Sequence, residues 1–161
     1  MDNVIFKNLL NSDEIELLIN EYNTSEKIGT DYTGLENLLN SPFAKKYHIK
    51  FQKMIENIVG EGLELVCTFM RKYSKGDVLE KHIDRKELYH TLSIQLKKSD
   101  NIPNPLIVHY KDKDVEIHLE DGDGGFIYEG NKIPHSRPPL ESEYMYNLFL
   151  HYAPKSIKQI I

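Results

Sequence analysis

The feature that most constrains this chain is a change of texture at Leu63. From there the sequence breaks into "LELVCTFMRKY", "HTLSIQLK", "PLIVHYK", "VEIHL", "GGFIYE" and "EYMYNLFLHYA". Each segment is short, rich in β-branched and aromatic residues, and bounded by turn-formers, which is how strands read. "KDKD", between the third and fourth, predicts a tight hairpin. About six strands at roughly ten-residue spacing predict a sandwich or jelly roll. In "HTLSIQLK", Thr91, Ser93 and Gln95 alternate with Leu92, Ile94 and Leu96. One of these two faces is expected to line the interior of the β structure.

The first 60 residues have a different period. "SDEIELLINEY" opens on Ser and Asp as a cap and sets Ile15, Leu18, Ile19 and Tyr22 on one helical face. "SPFAKKYHIKFQKMIENIVG" places Ser41 as a cap, Pro42 in the first turn and Gly60 just past the end. His48, inside this helix, reads as a surface or half-buried residue. "NTSEKIGTDYTG" between the helices reads as a loop. The expected fold is therefore mainly β with N-terminal helices (α+β), the helices packed on one outer face. A chain of 161 residues suits one domain, with residues 1–60 as helical support and 61–161 as the β core.

Composition narrows the function. The net charge of −5 comes with no basic stripe, which argues against nucleic acid as the main partner. The single cysteine, Cys67, excludes an intrachain disulfide and suits a reducing compartment. Its apolar neighbours make it a buried structural thiol. No segment reads as a leader or a membrane span, so a cytoplasmic location is expected.

The sharpest local feature is "YSKGDVLEKHIDRK". His82 and Asp84 stand two apart, so on an extended backbone their side chains project the same way. Taken alone, the pair reads equally as surface residues at a strand end. His135 supplies a third ligand, at the start of a short extended segment before the last strand. Two histidines and one carboxylate on one side of a metal leave open positions, the arrangement of non-heme Fe(II) oxygenases. A closed structural zinc site prefers four ligands, usually with thiolates.

With these residues in place the chain resembles the 2-oxoglutarate- and Fe(II)-dependent dioxygenases, in the branch similar to prolyl 4-hydroxylases. "VIFKNLLNSDEIELLI" resembles that branch's opening strand and helix, and "RKYSKGDVLEKHID" its Tyr-Gly-His-x-Asp segment. "GDGGFIYEGNKIPHSRPP" resembles the strand, turn and distal histidine, and "YMYNLFLHY" the closing strand. The resemblance implies a double-stranded β-helix (jelly roll). It implies iron held by His82, Asp84 and His135, with 2-oxoglutarate and O2 as co-substrates. The implied reaction is hydroxylation of an unactivated C–H bond with release of succinate and CO2. Asp84 favours hydroxylation over halogenation, because family halogenases lack this carboxylate. The implied substrate is a small molecule or peptide: a prolyl residue, an amino acid or another compact compound. Oligomeric state is not legible.

The chain departs from the family at one point. The relatives place a basic residue on the last strand to hold the far carboxylate of 2-oxoglutarate, and here that stretch reads "ESEYMYN". Arg137, one of three arginines among 20 basic residues, lies two residues after His135 among prolines. Its planar fork suits a carboxylate, so Arg137 is the expected anchor, with Arg71, Lys72 or a tyrosine-only site as substitutes. Tyr73 matches the family tyrosine that faces the co-substrate, and Asn147 and Tyr128 are further pocket candidates. Arg85 is expected to point away from the metal. His109 and His118 read as an exposed polar pair, His90 and His151 as histidines with no partner at ligand spacing. "DGDGG" lacks the closing glutamate of a calcium loop. "NTSEKIGTDYTG" and "RKELYH" are the expected lid segments. The rival function is a non-catalytic jelly-roll domain that binds a small acid or a protein partner, and a third is a metal-dependent hydrolase.

Overall fold

A computed structural model describes residues 4–27 and 33–159. It contains ten strands, two α-helices and a closing 3-10 turn. Helix α1 (Ser12–Thr24) starts one residue earlier than the sequence suggests, because Asn11 is the cap. The Asn11 side chain accepts from the Glu14 N–H and the Glu14 side chain accepts from the Asn11 N–H, a reciprocal capping box. Helix α2 (Pro42–Val59) begins on the Ser41 cap and ends on Gly60 at φ 82°, the left-handed stop that glycine adopts without strain.

The strands are β1 (Val4–Phe6), β2 (Asn37–Leu39), β3 (Leu63–Ser74), β4 (Leu79–His82) and β5 (His90–Lys98). They continue with β6 (Leu106–His109), β7 (Asp114–Ile117), β8 (Gly124–Ile127), β9 (His135–Arg137) and β10 (Tyr144–Pro154). Six form one sheet in the order β1-β8-β5-β10-β3-β2, and four form a second in the order β4-β9-β6-β7. All pairings are antiparallel. The β6–β7 hairpin turns through "KDKD", where the Tyr110 N–H donates to Lys113 O at 2.9 Å. The six β-rich segments all became strands. The four strands outside them are β1, β2, β4 and β9, each only three or four residues long. Two of these, β1 and β2, lie within the first 60 residues and join the large sheet; β1 falls in "VIFKNLLNSDEIELLI", whose resemblance implied an opening strand, and β2 is an addition to that largely helical stretch.

The large sheet separates two environments. Leu92, Ile94 and Leu96 of β5 and Leu148, Leu150 and Tyr152 of β10 pack against Leu18, Tyr22, Phe51 and Ile55 of the helices. Burying each such side chain stabilises the fold by roughly 1.5–3 kcal/mol. His48 belongs to this layer and is buried, not at the surface. Its Nε2–H donates to His151 O at 2.8 Å and its ring lies 4.7 Å from that of Tyr152. The other face of the same strands turns toward the small sheet and carries Thr91, Ser93, Asn147, Phe149 and His151. Among the described residues, no helix is long and apolar enough to cross a membrane.

Candidate metal centre

Strand pairing brings the three candidate ligands together. β4 and β9 run antiparallel with His82 opposite His135, and the imidazole centroids lie 4.4 Å apart. Asp84, just past β4, is pinned by its backbone N–H, which donates to Gly130 O at 2.9 Å. Its Oδ1 stands 3.3 Å from His82 Nε2 and 3.4 Å from His135 Nε2. The three ligand atoms all lie within 4.8 Å of one another, close enough to share one metal ion.

The backbone sets which nitrogen each ring presents. His82 Nδ1 donates to Glu80 O at 2.8 Å, and His135 Nδ1 donates to Ile133 O at 3.0 Å. A carbonyl only accepts, so in each neutral ring Nδ1 keeps the proton and Nε2 offers its lone pair beside Asp84. Burial pushes the Asp84 carboxyl up, but once the rings carry a second proton on Nε2, hydrogen bonds from His135 and His82 outweigh it and hold Asp84 well below the usual carboxylate range. Burial pulls the His82 imidazole down, but its bond to Asp84, its bond to the Glu80 carbonyl and the Asp84 charge together leave it raised. The cluster thus favours positive charge at its centre, which a proton or a metal cation supplies. Gly130 makes room for the Asp84 carboxylate: a Cβ there would lie 2.9 Å from Asp84 Oδ2 and 3.5 Å from His135 Cε1. The sequence reading passed over this glycine, although "YEGNK" marks a turn.

A cavity of about 820 Å³ opens beside the three residues, walled by Phe69, Arg71, Thr91, Ser93, Phe149 and His151 among others. The polar face of β5 is therefore the interior one. Arg137 also faces the space between the sheets, two residues beyond His135 on β9. Its guanidinium is buried, Nη1 donates to Asn104 O at 3.1 Å, and Nε and Nη2 have no partner among the described residues. Ser93 Oγ and both side-chain polar atoms of Asn147 are likewise buried without a partner among the described residues. Tyr73 is fully buried, and its hydroxyl accepts from Arg71 Nη1 at 3.1 Å. Of the two interior arginines it is Arg71 that lines the cavity wall, while Arg137 lies deeper.

Other candidates fall elsewhere. Lys72 is on the opposite face of β3, over the rings of Tyr144 and Tyr146 at 5.8 and 5.5 Å. Tyr128 packs on the helix side of the large sheet and stacks on His90 at 4.8 Å, outside the cavity. Arg85 turns outward to Glu87 at 3.3 Å, at the cavity rim. His109 and His118 do not meet. His109 bridges Asp114 at 2.8 Å and Ser136 at 2.7 Å on the outer face of the small sheet, and His118 pairs with Glu116 at 2.9 Å. His151 is hydrogen-bonded to Thr91 Oγ1 at 2.8 Å. Cys67 is buried as expected, with its thiol pushed up to about 11 by burial, and it lines the cavity. In "DGDGG" the carboxylates are spent on the fold: Asp121 accepts from Gln95 Nε2 and the Lys98 N–H, and Asp123 from Lys7 and the backbone of Asn8 and Glu120. The expected lid "NTSEKIGTDYTG" lies partly outside the described residues.

No family model and no curated protein matches the sequence. Solved structures do. The chain is similar to HygX from Streptomyces hygroscopicus with nickel and 2-oxoglutarate bound, at TM-score 0.79 and 12% identity over 95% of this chain and 83% of that one. It is similar to a prolyl-4-hydroxylase of Pseudomonas putida, at TM-score 0.76 and 17% identity over 95% and 92%. It is also similar to an oxidoreductase of the 2OG-Fe(II) oxygenase family from Burkholderia pseudomallei, at TM-score 0.76 and 9% identity over 94% and 85%. At such identities the likeness is one of backbone architecture, and it is near complete in both directions: the chain has the fold of the 2-oxoglutarate- and iron-dependent oxygenases.

Proposed function

We propose that the protein is an Fe(II)- and 2-oxoglutarate-dependent dioxygenase that hydroxylates an unactivated C–H bond, releasing succinate and CO2, and that its two sheets are the double-stranded β-helix of that class. The observation that carries this reading is Asp84 Oδ1 set 3.3 and 3.4 Å from two imidazole nitrogens at the wall of an 820 Å³ cavity. His82 Nε2, Asp84 Oδ1 and His135 Nε2 would hold the iron, and three protein ligands leave positions for co-substrate and O2. Bound iron would activate O2, the oxidant, with 2-oxoglutarate supplying two electrons as it is converted to succinate and CO2, chemistry that side chains lack. The protein's part is to bind, orient and enclose. Arg137 carries two buried nitrogens, Nε and Nη2, with no acceptor among the described residues, a costly state unless an anion arrives. A carboxylate matches that fork, so Arg137 would anchor the far end of 2-oxoglutarate. The Tyr73 hydroxyl accepts from Arg71 and so keeps its own proton to donate there. The proposed substrate is a prolyl residue, an amino acid or another small molecule that fits the outer cavity.

A non-catalytic module that binds a small acid would use Arg137 and leave the histidines without metal. Anaerobic Fe(II) plus 2-oxoglutarate separates the two readings. A weak visible charge-transfer band, abolished in His82→Ala, is expected. Its absence at saturating ligand would sink the enzyme reading. Turnover that needs neither 2-oxoglutarate nor O2 would instead indicate a hydrolase. Succinate release across a panel of amino acids and short peptides would then identify the substrate.

A further inference from the structure

The structure assigns Thr91 and His151 a positioning role: together they hold the outer oxygen of Asp84, so that this carboxylate presents one oxygen to the metal centre. The inference rests on the metal-binding reading above. It starts from the inequivalence of the two Asp84 oxygens. Oδ1 faces both imidazoles. Oδ2 faces the other way, with Thr91 Oγ1 at 3.5 Å and the Gly130 backbone alongside. The Thr91 contact is at the long edge of hydrogen-bond reach, and such contacts tighten when a site is loaded. Thr91 Oγ1 in turn lies 2.8 Å from His151 Nδ1.

The direction of these bonds follows from the carboxylate. Asp84 can only accept, so the Thr91 hydroxyl must aim its proton at Oδ2, because its lone pairs would repel the anion. Thr91 then has only lone pairs left for His151, which requires the proton of that ring to sit on Nδ1. The His151 ring is buried and neutral, its pKa pushed down to about 4 by burial, so it has one N–H to place. The ring is held on other sides. Phe69 meets it edge-on at 5.4 Å, and the His151 carbonyl accepts from His48 Nε2 of α2 at 2.8 Å. A chain of contacts thus runs from α2 through β10 and β5 to the metal-facing carboxylate. If position 91 served packing alone, valine would fill it equally well. A carboxylate free to turn both oxygens inward would occupy a position the co-substrates need.

Thr91→Val keeps the shape and removes the hydroxyl. Anaerobic Fe(II) titration in saturating 2-oxoglutarate, read by the charge-transfer band, should show affinity weakened about 10- to 100-fold and a shifted band maximum. Thr91→Ser should restore most of both. Thr91→Ala serves if the valine variant does not fold. Native Fe(II) affinity and an unshifted band in the variants would overturn the inference, even if the thermal midpoint of the metal-free protein fell. Failure of the metal-binding reading looks different: wild type itself would then show no band, and this inference would fall with it.

Discussion

The two faces of the large sheet differ sharply in polarity, although the same strands build both. On β5 and β10 the residues toward the helices are Leu92, Ile94, Leu148 and Leu150, all fully buried in one apolar cluster. The alternate residues are Thr91, Ser93, Asn147 and His151, also buried, and two of them, Ser93 and Asn147, have polar atoms with no partner among the described residues. Burial by itself therefore does not distinguish core from site. Hydrogen-bond satisfaction does: an unmet buried polar group costs about 1–3 kcal/mol, and is tolerated where a ligand will meet it.

The comparison breaks most decisively at the ligands. His135→Ala should reduce Fe(II) binding and turnover to baseline while the thermal midpoint of the metal-free protein stays near native, checked by titration and calorimetry. If the helix-side face unfolds with it, the two faces are not separable. Arg137→Ala removes a buried charge partner, a loss of about 2–5 kcal/mol. It should raise the KM for 2-oxoglutarate by tens- to thousands-fold with kcat at saturation largely kept, and Arg137→Lys should recover only part. A native KM would shift the anchor role to Arg71. On the opposite face, Leu148→Ala should destabilise the fold by about 2–5 kcal/mol in denaturant titrations, and the folded fraction should bind Fe(II) normally.

Two smaller effects sharpen the contrast. Gly130→Ala places a methyl 2.9 Å from Asp84 Oδ2 and should weaken Fe(II) binding roughly tenfold. His90 tests the helix-side face by pH. Burial lowers its pKa from 6.5 to about 4. The unfolded chain thus binds a proton at this residue before the folded one does. The stability from the neutral ring is complete above pH 6.5 and is lost as pH falls toward 4. His90→Asn should flatten the fall in thermal midpoint over that window without changing metal affinity at neutral pH. An unchanged slope would assign the acid sensitivity to other buried groups such as His48.

The legible parts of the fold were those with a repeat to read. Thr91 to Leu96 alternate cleanly, and that alternation described both faces of β5. It left open which face was interior, because a strand's own sequence does not say where its helices lie. β2, β4 and β9 are three or four residues long and exist through their partners, so no periodicity announces them. His48 was misread for a different reason. Ala44, His48, Phe51 and Ile55 share one buried helical face, and that spacing was present in the sequence, but histidine's usual exposure overrode it. The candidate metal ligands, which the fold does bring within 4.8 Å of one another, were legible as a pattern of types and order. Gly130, Thr91 and His151 were not, since their part depends on distances across strands.

The sequence by itself determined the inventory: which residue types stand on which strand, with which neighbours, and that two imidazoles, a carboxylate and a rare guanidinium occur in this order. The tertiary structure decided their company. Antiparallel pairing set His82 against His135, Gly130 left space for Asp84, and closure of two sheets buried Arg137 with N–H groups unmet among the described residues. Side-chain type and alternation are local properties of a chain. Convergence of groups 50 residues apart depends on sheet register, which is fixed only when every strand has found its partner.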